Sequence, residues 1–211
     1  MITDGLNPFT VLLFVAAALA GAALVVLYVI ARVTKRDAFA RITLRFLLSG
    51  AGLYLLLFLG ASVFSHSRVL APGEEKHICE IDCHLAYSVV GTKSEPLPNG
   101  QVRQTVTVKV RFDEQTVSAR RSRTAPLTPN SRYVALVDAR GHQYLGSTDE
   151  LHRQLIPGAS YATDIEFDVP SGAQDLRLVL RNNDAETAFI IGHENSWLHG
   201  KTTFALSRKA A

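Results

Sequence analysis

Residues 155–180 read LIPGASYATDIEFDVPSGAQDLRLVL, and this stretch decides the fold. Apolar and polar side chains alternate over residues 161–169, which is the period of a strand with one buried face. The same alternation returns over residues 176–180. The turn-forming residues 157–158 (Pro-Gly) and 170–172 (Pro-Ser-Gly) precede each of these runs. The stretch therefore predicts two strands joined by a tight turn.

The same pattern recurs on both sides of this stretch. It is present at residues 84–90, 105–112, 133–138, 143–145 and 202–206. Between two of these runs, Gly141 lies in a four-residue connection of the kind that closes a hairpin. About seven short strands without a long amphipathic helix are typical of an immunoglobulin-like fold. We therefore predict an all-β immunoglobulin-like sandwich of antiparallel strands over residues 66–211.

The chain before this domain contains two long apolar runs. Residues 9–30 and 46–64 carry no charged side chain. Helices of these lengths reach roughly 28–33 Å, which matches a hydrocarbon core of about 30 Å. We predict a transmembrane helical hairpin over residues 1–65, with helices at about 9–31 and 45–65.

The charge distribution sets the expected orientation. The net charge of +3 comes from one short segment, since basic and acidic residues balance over 66–211. The basic residues between the two apolar runs are Arg32, Lys35, Arg36, Arg41 and Arg45. The positive-inside rule places this segment in the cytoplasm, and the N-terminus and the β-rich domain on the periplasmic side of a bacterial inner membrane. Asp4 before the first run, where no Lys or Arg occurs, argues against a cleaved signal peptide.

Several motifs resemble a known group of proteins. Residues 132–144 (RYVALVDARGHQY) and 155–180 resemble a bacterial immunoglobulin-like domain of unknown function. Residues 70–85 (LAPGEEKHICEIDCHL) and 189–206 (FIIGHENSWLHGKTTFAL) resemble uncharacterised two-span bacterial membrane proteins that carry such a domain. The resemblance implies a sandwich in an extracytoplasmic position. It implies no reaction.

The sequence contains one cluster of ligand-type residues: His77, Cys79, Cys83 and His84. An oxidising compartment favours a Cys79–Cys83 disulfide. An extended strand would hold the two Cα atoms about 13 Å apart, whereas a disulfide needs less than about 7 Å, so the chain must turn between them. A metal site formed by all four residues and a pair of free thiols are the alternatives, although the spacing matches no common zinc pattern.

The metal alternative includes an electron-transfer subunit. Cytochrome oxidase subunit II also has a two-helix anchor, an outer β domain and a Cys-x-x-x-Cys copper site. Its cysteines lie late in the domain and are followed by a His and a Met, whereas Cys79 and Cys83 come soon after the second helix and Met1 is the single methionine. We therefore expect no cofactor. We also expect no catalytic residue, because the sequence contains no Gly-x-Ser-x-Gly, Walker A or His-Glu-x-x-His motif.

Two further features suggest contacts with other membrane proteins. Ala17 and Gly21 are spaced for close helix packing, either within the hairpin or against another subunit. The loop 192–200 combines aromatic, apolar and polar residues, and its candidate partner-binding residues are His193, Trp197, Leu198 and His199. The alternative for Trp197 is closure of the core. We expect an extracytoplasmic interaction or structural module, an accessory subunit with membrane proteins and lipid as partners and no nucleic acid; a sensor of an external ligand is a weaker alternative.

Overall fold

The computed structural model describes residues 2–3, 8–78, 83–118, 121–130, 133–182 and 185–207. The chain divides into two compact units. The helical unit consists of Gly5–His66 and Asp184–Gly200. The β unit consists of Met1–Asp4, Ser67–Asn183 and Lys201–Ala211.

Two long helices form most of the helical unit. Helix α1 is Pro8–Val33 and helix α2 is Asp37–Val63, and both are long and apolar enough to cross a membrane. They form an antiparallel pair because only three residues connect them. The half-buried side chains of α1 recur every three or four residues, as expected for one face that packs on a second helix: Phe14, Ala17, Gly21, Leu24 and Tyr28.

Helix α2 begins earlier than the expected residue 45. Arg41 and Arg45 lie within the helix, because Arg is a good helix former and charge alone does not end a helix. Arg32 and Asp37 bridge the connection with an ion pair of 2.9 Å. The basic residues predicted to form a loop therefore lie mostly on the two facing helix ends.

The β unit is a sandwich of two five-stranded sheets in the described part of the chain. Its strands are β1 (Ile2–Thr3), β2 (Arg68–Leu70), β3 (Lys76–Ile78), β4 (Leu85–Pro96), β5 (Gln101–Phe112), β6 (Tyr133–Val137), β7 (Gln143–Leu145), β8 (Ser160–Pro170), β9 (Arg177–Arg181) and β10 (Thr202–Ala205). The first sheet has the order β1-β3-β4-β5-β8, and the second has the order β2-β10-β9-β6-β7. The β1–β3 and β2–β10 pairs are parallel, and the others are antiparallel.

Alternation along β5 and β8 positions the core. Val106, Val108 and Val110 are fully buried, while the intervening side chains point to the other face of the sheet. On that outer face, Arg103 makes a two-pronged ion pair with Asp168 of the neighbouring strand. The predicted strands at 105–112 and 161–169 are thus confirmed as neighbouring antiparallel strands of a sandwich, with the second at the edge of its sheet.

The sequence analysis missed three strands and placed one segment differently from the structure. Strands β1, β2 and β3 were not predicted, because two or three residues are too few to show a period. Strand β4 runs on to Pro96, past the expected residue 90, with an irregularity in register between Val89 and Gly91. Residues 184–200, expected within the sandwich domain, group with the helices instead.

Candidate functional sites

A partly buried ionic network lies next to the cysteine segment. His77 on β3 donates from Nε2 to Oδ2 of Asp113 across 3.1 Å, and both side chains are largely buried. Arg111 on β5 donates to both carboxylate oxygens of Glu75, at 2.8 and 2.6 Å. The Nη1 atom of Arg111 also lies 3.3 Å from Oδ1 of Asp113. The network therefore joins the end of β3 to the end of β5.

The hydrogen bonds of the network stabilise the ionised forms of its two carboxylates, Asp113 and Glu75. Burial alone would raise the pKa of Asp113, but hydrogen bonds from His77, Arg111 and the Gln115 amide outweigh it and lower that pKa. The hydrogen bonds from Arg111 lower the pKa of Glu75. Both carboxylates therefore stay ionised at neutral pH and hold their donors in place.

His84 is engaged in a different set of contacts. Its ring stacks on Phe112, with centroids 5.5 Å apart, and its Nδ1 lies 2.6 Å from Oγ1 of Thr116. The Thr116 hydroxyl donates its proton to the carbonyl of Asp113. That hydroxyl must therefore accept from His84, so Nδ1 carries the ring proton. Packing and hydrogen bonding give His84 a structural role at this end of the sandwich.

The disulfide and metal hypotheses stay predictions. Both require Cys79, which lies outside the described residues. Of the other residues in the alternative metal set, His77 and His84 each commit one ring nitrogen to the protein contacts above. Cys83 directly precedes buried His84 and is itself half-buried.

The predicted partner-binding residues divide between two sides of their segment. Trp197 is 67% exposed and Leu198 is 74% exposed, so the alternative in which Trp197 closes a core is wrong. His193 is only 1% exposed and cannot form part of an exposed rim. His199 is half-buried, with Nδ1 2.8 Å from the carbonyl of Gly200. The sequence could not separate these residues, because an irregular segment has no period that identifies its buried side.

The exposed residues extend to a second aromatic side chain that the sequence reasoning did not select. Phe189 is 51% exposed, and its ring centroid is 6.2 Å from that of Trp197. Its carbonyl accepts a hydrogen bond of 2.7 Å from the hydroxyl of Tyr54 on α2. We call Phe189, Trp197 and Leu198 the apolar patch. Tyr54 thus ties the patch to the helix pair.

An apolar groove of about 570 Å³ runs between α1 and α2. Ala17 and Gly21 line it from α1, and Gly50 and Ala51 line it from α2. A Cβ atom added at Gly21 would meet no atom within 4 Å. The two helices therefore do not make a tight contact at Gly21, where small side chains leave an open groove; the packing role of Ala17 and Gly21, within the hairpin or against another subunit, stays a prediction.

Comparisons with known proteins add little to this description. No family model matches the chain, and no curated protein sequence matches it. Among solved structures, a secreted protein of Mycobacterium tuberculosis, MPT63, is 13% identical, with a TM-score of 0.43, and the match covers 66% of this chain and 98% of that one. An uncharacterised β-sandwich protein of Clostridium difficile is 9% identical, with a TM-score of 0.41, covering 68% and 96%. Likeness at this level carries no functional argument.

Proposed function

We propose that this chain is a membrane-anchored interaction or structural module, an accessory or scaffolding subunit of a larger membrane complex. In this proposal α1 and α2 span a bacterial inner membrane, and the sandwich, of immunoglobulin-like type, lies on the periplasmic side with the N-terminus. The lipid bilayer and other membrane subunits are the partners, nucleic acid is not, and no reaction is assigned to the chain.

The observation that carries the proposal is the exposed apolar surface of the helix pair. Large side chains on both helices, such as Leu12 and Leu56, remain mostly exposed within the chain's own structure. A soluble protein rarely leaves apolar patches of more than a few hundred Å² uncovered. Lipid covers such a surface without leaving backbone groups unsatisfied, since each helix bonds its own main chain.

The groove favours a protein partner within the membrane. Lipid does not drive apolar helices together, so packing of small residues against a neighbouring backbone contributes much of the association between membrane helices. Ala17 and Gly21 on one wall and Gly50 on the other offer such a surface, and the chain's own residues leave it open. An apolar helix of another subunit is the occupant that suits this groove.

The polar clusters fit a scaffold better than an enzyme. His77 and Asp113 are committed to a partly buried ionic network, and His84 is committed to Thr116. The first contact joins β3 to the residue after β5, and the second joins the residue before β4 to the 3₁₀ helix Glu114–Thr116. Such contacts stabilise a domain that presents its surface to partners.

Substitution in the groove tests the proposal. We expect Gly21→Leu to fill the groove and to reduce co-purification of partner subunits from native membranes in mild detergent. Ala23→Leu is the matched control, because Ala23 is exposed and does not line the groove. Both variants should stay in the membrane fraction after an alkaline wash. Release by the wash would contradict membrane anchoring, and equal partner recovery in both variants would contradict the docking of a helix in the groove.

A further inference from the structure

Part of the 185–200 segment has an inverted burial pattern, whereas its Ile190 is buried and its Glu186 is exposed, as in an ordinary loop. Its polar residues His193, Glu194 and Ser196 are buried, with 1%, 4% and 1% exposed. Its apolar patch, defined above as Phe189, Trp197 and Leu198, faces outward. A loop in water shows the opposite arrangement, because apolar surface is costly to hydrate and polar groups are not. The pattern is the one expected of a segment whose surroundings are apolar.

The contact with α2 shows how far along that helix, measured from its end at Val63, the segment lies. Tyr54, which donates to the Phe189 carbonyl, lies nine residues before the end of α2 at Val63. Nine residues of helix correspond to about 13 Å. In the proposed membrane topology, this depth is well inside the outer half of the bilayer. The α2 side chains Leu53 and Leu56, which flank Tyr54 in sequence, are apolar and exposed, so in the proposed topology lipid covers the helix at this depth.

Part of the segment's polar groups are hydrogen-bonded within the segment itself. Consecutive turns pair the amides of Ile190, His193, Ser196 and His199 with the carbonyls three residues before them. The Ser196 hydroxyl donates to the Ile190 carbonyl at 2.6 Å, and the Asn195 amide donates to Nδ1 of His193. Non-helical backbone survives at membrane depth only where its polar groups are paired within the protein. The four turns pair these amides in the way that the requirement demands.

We infer that the 185–200 segment is a re-entrant element that inserts the apolar patch into the outer leaflet of the bilayer. The inference rests on the proposed membrane anchoring and adds a second membrane contact to the two helices. Large apolar side chains suit this depth, because hydrocarbon covers their surface without the cost of hydrating it. Leu198 has a φ of 61°, uncommon for a non-glycine residue, and its side chain is exposed despite this strained backbone.

The single tryptophan of the chain provides the probe. The full chain is reconstituted into phosphatidylcholine vesicles in which part of the lipid carries bromine on its acyl chains. Bromine quenches tryptophan emission on contact, and iodide does so from water. We expect loss of Trp197 emission with brominated lipid and protection from iodide. In Tyr54→Phe, which removes the donor to Phe189, we expect weaker bromine quenching; unchanged quenching would overturn the anchoring role of Tyr54.

Two control probes in a Trp197→Phe background separate the possible failures. Leu145→Trp places the probe on the exposed surface of the sandwich, and Leu56→Trp places it on the exposed face of α2. The inference is supported if Trp197 behaves like the probe at 56. Quenching by iodide alone, as expected at 145, overturns it in favour of a loop in water. Protection from both quenchers overturns it in favour of a surface covered by protein. If the probe at 56 is not quenched by bromine, the membrane anchoring itself fails.

Discussion

Substitution of Asp113 by Asn tests whether the ionic network beside the cysteine segment stabilises the sandwich. Asn keeps the shape of the side chain and can still accept from the Gln115 amide, as the aspartate does at 3.1 Å. It removes the charge that faces His77 and Arg111. The side chain of Asp113 is 11% exposed, so water replaces little of what is lost.

The expected cost follows from the contacts. Hydrogen bonds to charged groups contribute about 1.5–3 kcal/mol each. The substitution removes two such contacts, those with His77 and Arg111, but Arg111 keeps its pair with Glu75 and some water reaches the site. We therefore expect Asp113→Asn to lower the free energy of unfolding by about 2–3 kcal/mol at neutral pH.

The pH dependence gives a second, independent readout. The folded protein lowers the pKa of Asp113 from its ordinary value of 3.8. A lowered carboxyl pKa contributes stability above the unfolded-state value, and this contribution is lost as the pH falls through the lower folded-state value. The difference in stability between wild type and Asp113→Asn should therefore shrink as the pH falls below about 4.

Urea unfolding of the full chain in detergent micelles, followed by the β-sheet circular dichroism signal at neutral and acidic pH, measures both quantities. Asp168→Asn is the matched control, because Asp168 also has a lowered pKa and a two-pronged Arg103 partner but is 42% exposed. Solvent screens an exposed ion pair, so the control should cost less. A cost for Asp113→Asn no greater than that of the control, or a difference that does not change with pH, would refute the argument from burial.

Three further predictions concern the cysteines, the topology and the core. Mass spectrometry of non-reduced peptides should show Cys79 linked to Cys83, whereas two free thiols, or bound zinc or copper lost on Cys83→Ser, would favour the alternatives. In a variant without native cysteines, Ser147→Cys should react with an impermeant maleimide in intact cells; reaction only after lysis would reverse the predicted orientation. Gly146→Ala should destabilise the sandwich by about 1–3 kcal/mol, since the new Cβ would lie 2.6 Å from a core phenylalanine ring; Gly172→Ala, which meets no atom within 4 Å, should cost less in the same thermal unfolding assay.

Local periodicity made most of the fold predictable. The strand at 105–112 could be identified because one of its faces is buried and the other is not, so apolar and polar residues alternate along it. The two helices could be identified because a long apolar run without charged residues is typical of a helix that is long enough to cross a membrane. Their ends were less predictable, as the early start of α2 at Asp37 shows.

The candidate sites depended on contacts between residues far apart in sequence. Nothing local pairs His77 with Asp113, or Tyr54 with the carbonyl of Phe189. The sequence selected Trp197 and Leu198 correctly as exposed candidates, but it grouped them with His193, whose burial depends on the chain folded around it.

The sequence by itself determined the element types and the separation of an apolar hairpin from a neutral, alternating domain, because burial of one side of a helix or strand imposes a short repeat on the residues. Only the tertiary structure decided that residues 184–200 join the helices, that their polar side chains turn inward, and that the groove at Gly21 stays open. These features arise where segments without a repeating pattern pack against each other. The stability of each contact depends on how well the shapes of the neighbouring side chains fit, and the local sequence does not contain that information.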